Sequence, residues 1–131
     1  SLEDRGRWFD AHADTYPPVV AADGDAVVGW GSLSKLYARE AYRFTAEDSL
    51  YLREDVRRRG IGSRILAELL VQAEKTGCRA IVARIDSGQD ASVALHRKFG
   101  FFEAGRLTKV GRKFDRWLDV VFMEYLFERA D

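Results

Sequence analysis

The turn at residues 57–63 constrains the fold of this chain more than any other stretch. Its sequence is Arg-Arg-Arg-Gly-Ile-Gly-Ser. The residues before it alternate in polarity as a strand does, and apolar residues after it recur at the spacing of one helix face. The two glycines therefore lie where a strand passes into the N-terminus of a helix, and the sequence predicts those three features in direct succession.

This glycine turn has the chemistry of an anion site. A helix N-terminus carries unpaired backbone N–H groups and partial positive charge. Gly60 and Gly62 lack a Cβ, so an anion can approach the backbone, and three arginines add fixed positive charge. The turn is interpreted as a pyrophosphate cradle, with an arginine-rich turn that binds nothing as the alternative. The cradle residues are Arg57, Arg58, Arg59, Gly60, Ile61, Gly62 and Ser63.

Two familiar phosphate-binding motifs do not fit this turn. A Walker A loop places Lys and then Ser or Thr after its second glycine, whereas here Gly62 is followed by Ser63 and Arg64. The dinucleotide fingerprint needs three glycines, and this turn has two. The pattern that remains is Arg-x-x-Gly-x-Gly.

Composition limits the class of protein. At 131 residues the chain fits one domain, 1–131. Basic and acidic residues number 21 each, whereas a general nucleic-acid binder carries a basic excess. No apolar run reaches the roughly 18 residues of a membrane span, and a single cysteine with two histidines makes a zinc site unexpected. We expect a cytoplasmic protein with no metal, no nucleic-acid partner and no membrane partner.

Periodicity predicts an alternating order of helices and strands. Because a helix connects the strands at 46–53 and 79–85, these two should be parallel. Gly29 and Gly31 indicate a bulge or a close backbone approach inside a strand. The expected elements are a helix at 2–14, a hairpin of strands at 19–22 and 26–33, a strand at 46–53, a helix at 61–76, a strand at 79–85, a helix at 90–99, and strands at 101–107 and 117–127 joined through Gly111.

The glycine turn and the order of elements resemble the GNAT superfamily of N-acetyltransferases. Arg-x-x-Gly-x-Gly is similar to the acetyl-CoA signature of that superfamily, and a second signature is found at 89–101. The positions that match it are Lys98, Gly100 and Phe101. The positions that depart are Gln89, Ser92 and His96, where the family commonly has Asn, Ala and Tyr. The resemblance implies an α/β (α+β) GNAT acyl-CoA N-acyltransferase fold, a mixed central sheet flanked by helices, without the usual first strand and helix.

Within the superfamily the chain is similar to the phosphinothricin and methionine sulfoximine N-acetyltransferases. The stretches that carry this similarity are 42–52, 86–101 and 110–119. The resemblance implies acetyl-CoA as co-substrate, a small-molecule amine as acceptor and a homodimer. It also implies direct attack in a ternary complex, without a metal and without a covalent enzyme intermediate.

The resemblance also assigns roles to individual residues. Glu47 matches a glutamate proposed as general base, and an ammonium group must lose a proton before it can attack a thioester; a solvated acid beside Asp48 is the alternative. His96 stands where the family's Tyr protonates the leaving thiolate, or is a structural helix histidine. The expected cofactor contacts beyond the cradle are Gln89, Ser92 and, through the strand backbone and regardless of side chain, Leu50, Tyr51 and Leu52. The candidate acceptor contacts, whose alternative is a charged loop, are Tyr42, Arg43 and Lys113.

The predicted function is transfer of the acetyl group of acetyl-CoA to the amino group of a small amino acid or analogue. One alternative is acetylation of a protein lysine or N-terminal amine. Another is a CoA-binding module without catalysis, which has no need of Glu47.

Overall fold

The structure, a computed structural model, describes residues 17–57 and 59–128. The helix expected at 2–14 and Arg58, one of the predicted cradle residues, lie outside these residues. The elements are β1 (Val19–Asp23), β2 (Ala26–Lys35), β3 (Thr45–Leu52), α1 (Ile61–Lys75), β4 (Ala80–Asp86), α2 (Asp90–Lys98), β5 (Phe102–Lys113) and β6 (Arg116–Leu126). Short 3-10 turns occupy Glu40–Tyr42 and Glu54–Val56.

The described strands form one mixed sheet. Six strands lie in the order β1-β2-β3-β4-β6-β5. β3 and β4 are parallel, because α1 carries the chain back across the sheet between them. The other neighbours are antiparallel. The predicted mixed sheet and the predicted parallel pair are confirmed.

Two glycines of β2 allow α1 to lie close to the sheet. A Cβ added at Gly31 would come within 2.5 Å of Ile65 Cγ2, and one added at Gly29 within 2.8 Å of Leu52 Cδ2. No side chain larger than hydrogen fits there without displacing its neighbours. The predicted close approach is therefore confirmed, and the β1–β2 register also shifts between Ala21 and Ala22, beside Gly29, as a bulge does.

The core lies between the sheet and the helices. β4 supplies Ile81, Ala83 and Ile85, which are buried together with Leu66 and Leu69 of α1. β4 is largely buried from Ala80 to Ala83, whereas Arg84 and Asp86 further along the strand are exposed. Cys78 is buried as well, as expected of a small apolar residue.

The connection between β5 and β6 differs from the prediction. β5 continues through Gly111 to Lys113, and the chain reverses at Phe114 and Asp115. Both turn residues have positive φ, 50° and 60°, as a type I′ hairpin turn requires. Phe-Asp lacks the Asn-Gly or Asp-Gly signature of such turns, so the nearby glycine was the stronger signal in the sequence.

Candidate active site

A gap between β3 and β4 forms the centre of the candidate site. The two strands pair at three positions only, from Thr45 with Ala80 to Glu47 with Val82. Both continue beyond that point, β3 to Leu52 and β4 to Asp86, without pairing with each other. The divergence leaves a cavity of about 480 Å³. It is lined by Glu47, Asp48, Ser49, Leu50, Arg84, Ile85, Asp86, Gln89, Ser92, His96, Leu107, Val120 and Phe122.

Glu47 lies at the closed end of this gap and is fixed by Arg84 of β4. Arg84 Nη2 donates a hydrogen bond to Glu47 Oε1 at 2.8 Å, and Arg84 Nε lies 2.7 Å from Glu47 Oε2. This is the two-pronged geometry in which a guanidinium holds a carboxylate most firmly. The side chain of Glu47 is only 16% exposed. A carboxylate is thus held in one orientation at the wall of the cavity.

The next residue of β3 points to the opposite face of the sheet, as alternation requires. There Asp48 Oδ2 lies 2.8 Å from Nε2 of His96 on α2. The other ring nitrogen, Nδ1, lies 2.7 Å from the carbonyl oxygen of Ser92, to which it can only donate. The side chains of His96 and Asp48 are 2% and 3% exposed. The pair joins α2 to β3 beside the gap.

The protonation of His96 follows from these partners. Burial lowers the pKa of His96, but the hydrogen bond and the negative charge of Asp48, with the Ser92 carbonyl, outweigh it and raise the pKa above its ordinary value. In the charged form both nitrogens donate, one to Asp48 and one to Ser92. Both ring nitrogens are therefore engaged. This geometry favours the structural alternative for His96 over a role as the acid that protonates a thiolate.

The glycine turn presents a free helix N-terminus. Gly60 adopts a left-handed conformation, with φ 78°, and no side chain caps α1. The first helical hydrogen bond runs from the N–H of Arg64 to the carbonyl of Gly60, and no acidic residue lies in the first turn. Arg57 and Arg59 are exposed. Unpaired N–H groups, helix dipole and cations together suit an anion.

The two sequence signatures meet at this turn. Lys98 Nζ, at the end of α2, lies 3.4 Å from Ser63 Oγ. A Cβ added at Gly62 would lie 3.0 Å from Leu52 Cδ1 and 3.2 Å from Leu95 Cδ2. The bare side of Gly62 thus faces the core. Gly62 therefore lacks a side chain so that α1 can pack against β3 and α2; the approach of an anion to its backbone stays a prediction.

Comparison with known proteins identifies the family. Residues 1–101 match the model of the acetyltransferase (GNAT) family. The chain belongs to the GNAT acetyltransferase family. This GNAT chain is 42% identical over 125 residues to the L-methionine sulfoximine/L-methionine sulfone acetyltransferase of Pseudomonas paraeruginosa. The aligned region covers 94% of this chain and 73% of that protein.

Solved structures agree with that assignment. A phosphinothricin acetyltransferase from Sinorhizobium meliloti, in complex with acetyl-CoA, superimposes with a TM-score of 0.88 at 38% identity, covering 96% of this chain and 69% of that one. A ribosomal-protein-alanine N-acetyltransferase from Brucella melitensis superimposes with a TM-score of 0.86 at 39% identity. This superposition covers 97% of this chain and 79% of that one. The predicted GNAT fold and acetyltransferase class are confirmed.

The predicted contacts of the GNAT chain are distributed unevenly about the cavity. Glu47, Leu50, Gln89 and Ser92 line it. Tyr51 instead stacks on Trp30 at 6.1 Å. Leu52 packs towards Gly29 and Gly62, so its side chain serves the core.

None of the three candidate acceptor contacts lines the cavity of the described structure. Arg43 Nη1 donates to the carbonyl of Glu40 at 2.9 Å, and its guanidinium lies 4.4 Å from the Phe44 ring. Tyr42 contacts Tyr37, with ring centroids 5.0 Å apart. Lys113 ends β5, beside the hairpin turn. These residues remain candidates only for an acceptor that reaches beyond the cavity.

Arg84 is the site residue that sequence reasoning missed. It lies between Ala83 and Ile85, and the surrounding run of apolar residues indicated a buried strand. A single cation inside such a run was the available signal, since buried charges are costly unless they are paired. Among the described residues, no helix is long and apolar enough to cross a membrane, and no cluster of three His, Cys, Asp or Glu side chains suits a metal.

Proposed function

We propose that this GNAT enzyme transfers the acetyl group of acetyl-CoA to the α-amino group of a small amino acid or amino-acid analogue. The observation that carries the proposal is Glu47, a largely shielded carboxylate fixed by Arg84 at the wall of the cavity. A pure CoA-binding module has no use for a carboxylate held in this way. The names of the Pseudomonas and Sinorhizobium relatives support the substrate class.

The residues present fit a CoA thioester. The first turn of α1 offers unpaired N–H groups, and Lys98 adds a cation beside Ser63. From the end of β3 back to Glu47 is five residues, or about 17 Å of extended chain. An extended arm that follows β3 from the glycine turn would therefore end near Glu47. Bound acetyl-CoA supplies an activated acetyl group, and the chain supplies its position.

Glu47 then has two tasks in the proposed reaction. As a carboxylate it attracts the ammonium group of the acceptor into the cavity. It then accepts a proton from that group, directly or through water, so that the nitrogen lone pair can attack the thioester carbonyl carbon. As the amide bond forms, the C–S bond breaks, and CoA leaves as a thiolate that takes a proton from solvent. The pairing with Arg84 keeps the carboxylate oriented while this happens. For His96 the proposal is a positioning role, because it ties α2 to β3 at the edge of the gap.

A second candidate acceptor is a protein or peptide N-terminus. It is favoured by the likeness to the Brucella ribosomal-protein-alanine N-acetyltransferase, at 39% identity. A panel of free amino acids, amino-acid amides and short peptides separates the two, with thiol release from acetyl-CoA as the measurement. We expect free amino acids, methionine sulfoximine and phosphinothricin to release thiol. Release with peptides alone would contradict the proposal and support the alternative.

We further propose a homodimer in the cytoplasm. The β5–β6 hairpin exposes apolar side chains, with Phe114 87% exposed and Trp117 57% exposed. Large exposed apolar residues in one place are typical of interaction surfaces. Sedimentation equilibrium tests the dimer: a monomer at all micromolar concentrations would contradict it.

A further inference from the structure

The Glu47–Arg84 pair has more hydrogen-bonding capacity than it uses. A guanidinium carries five N–H donors, and Glu47 engages Nε and Nη2. Nη1 has no partner among the described residues, and the Arg84 side chain is 59% exposed. A carboxylate oxygen can accept more than one hydrogen bond. The pair can therefore receive one further cation and one further anion.

Arg84 is also the cation best placed to serve the cavity. The other basic side chain among the lining residues is His96, which is buried and committed to Asp48. Arg43 is committed to Glu40 and Phe44 outside the cavity. Ion pairs at a protein surface contribute little to stability, and the Arg84 side of this pair is exposed, although Glu47 is largely shielded. Stability alone therefore gives little reason for a fork-shaped pair at this position.

The unused hydrogen-bonding positions of the pair match the charges of one class of molecule. An α-amino acid carries an ammonium and a carboxylate on the same carbon atom. Glu47 and Arg84 present the complementary charges side by side, with 2.7 Å between Nε and Oε2. A bound amino acid would complete a square of alternating charges, its ammonium on Glu47 and its carboxylate on Nη1 of Arg84.

We propose that Arg84 reads the acceptor's α-carboxylate and, by holding Glu47, sets that carboxylate at the amine to be acetylated. This inference rests on the proposed acetyl transfer and specifies its selectivity. The enzyme then requires an acceptor with a free carboxylate next to the amine. A carboxamide keeps the size of that group but offers no charge to the guanidinium, so amino-acid amides and peptides are poor acceptors.

The test compares kcat/KM for an accepted amino acid with kcat/KM for its amide. For the wild type we expect the acid to be favoured by about 10- to 100-fold, the scale of one charged hydrogen-bonded contact. Arg84→Met keeps the length of the side chain and should lower that ratio at least about tenfold. Arg84→Lys keeps the positive charge but not the planar arrangement of N–H donors, and should retain part of the preference for the acid.

The ratio isolates carboxylate recognition from other effects. Both substrates are measured with each variant, so the difference in amine acidity and any loss of folded protein cancel when the ratios of two variants are compared. Arg106→Met is the matched control, since Arg106 is an exposed arginine paired with Asp119 outside the cavity. Its ratio should equal that of the wild type.

Three results would overturn the inference, and they are distinguishable. An unchanged acid-to-amide ratio in Arg84→Met removes Arg84 as the reader, and loss of the ratio in Arg43→Met instead would assign the role there. A wild type that acetylates acid and amide equally well remains an acetyltransferase without carboxylate selectivity. A wild type that acetylates no amine in the panel refutes the proposed function itself.

Discussion

The buried pair of Asp48 and His96 allows the sharpest test of how α2 is held against β3. Asp48→Asn preserves the size of the side chain and removes its charge. Both partners are almost fully buried, at 3% and 2% exposure, and their closest atoms are 2.8 Å apart. Removing one partner of such a pair costs about 3–5 kcal/mol, because the other charge is left uncompensated. For a domain of this length that lowers Tm by about 12–20 °C.

The same pair makes stability depend on pH in a defined direction. The pKa of His96 is raised in the folded protein, where Asp48 outweighs the effect of burial. The folded state therefore binds a proton more tightly than the unfolded chain. The extra stability is fully present below the unfolded pKa of about 6.5 and is lost as pH rises through the higher folded value. In Asp48→Asn this decline with pH should largely disappear.

Urea unfolding followed by circular dichroism, at several pH values from 5 to about 9, measures both effects. Asp25→Asn is the control, because Asp25 is exposed in the β1–β2 turn and the substitution makes the same chemical change. It should leave stability and its pH dependence unaltered. The reasoning is refuted if the free energy of unfolding of Asp48→Asn is within about 1 kcal/mol of the wild-type value. It is also refuted if the stability of Asp48→Asn declines with pH as that of the wild type does.

Three smaller perturbations test the backbone around the site. Gly62→Ala places a methyl group 3.0–3.2 Å from two leucine methyls, so it should destabilise the fold by about 1–3 kcal/mol in thermal unfolding; unchanged Tm would contradict this packing. Gly60→Ala has space for its Cβ but must keep φ at 78°, and should cost about 1–2 kcal/mol; Gly60→Asn, which tolerates that conformation better, should recover part of the loss. Asp119→Ala removes the acceptor of the Lys109 N–H at 2.9 Å, so that amide should exchange with solvent much faster by NMR, and unchanged protection would exclude the bond.

The order of strands and helices was predictable because local patterns determine it. The glycine turn lies between a strand of period two and a helix of period 3.6, and α1 begins at Ile61 as that pattern indicates. The crossover between β3 and β4 then follows from chain connectivity. The two-residue turn at Phe114 and Asp115 was not predictable, because positive φ is rare for a bulky residue such as Phe114 and the rest of the hairpin must impose it.

The candidate site was only partly predictable, because its geometry depends on contacts across the sheet. Glu47 was found through the family resemblance. Arg84 is 37 residues away along the chain, and only the three-residue parallel pairing of β3 with β4 brings the two side chains together. Arg43 was a candidate acceptor contact, four residues before Glu47 in the sequence. The short 3-10 turn before β3 instead directs it to Glu40, away from the cavity.

The most direct test of the central claim is the turnover of Glu47→Gln. Glutamine keeps the shape of the side chain and an oxygen for Arg84, but it cannot accept the proton. Steady-state thiol release with an accepted amino acid should fall by about 10²–10⁴-fold, while the Kd of acetyl-CoA by calorimetry stays unchanged because the glycine turn is intact. The control Glu103→Gln, at an exposed glutamate on β5 paired with Arg106, should keep full turnover. Near-normal turnover of Glu47→Gln at neutral pH would contradict the account.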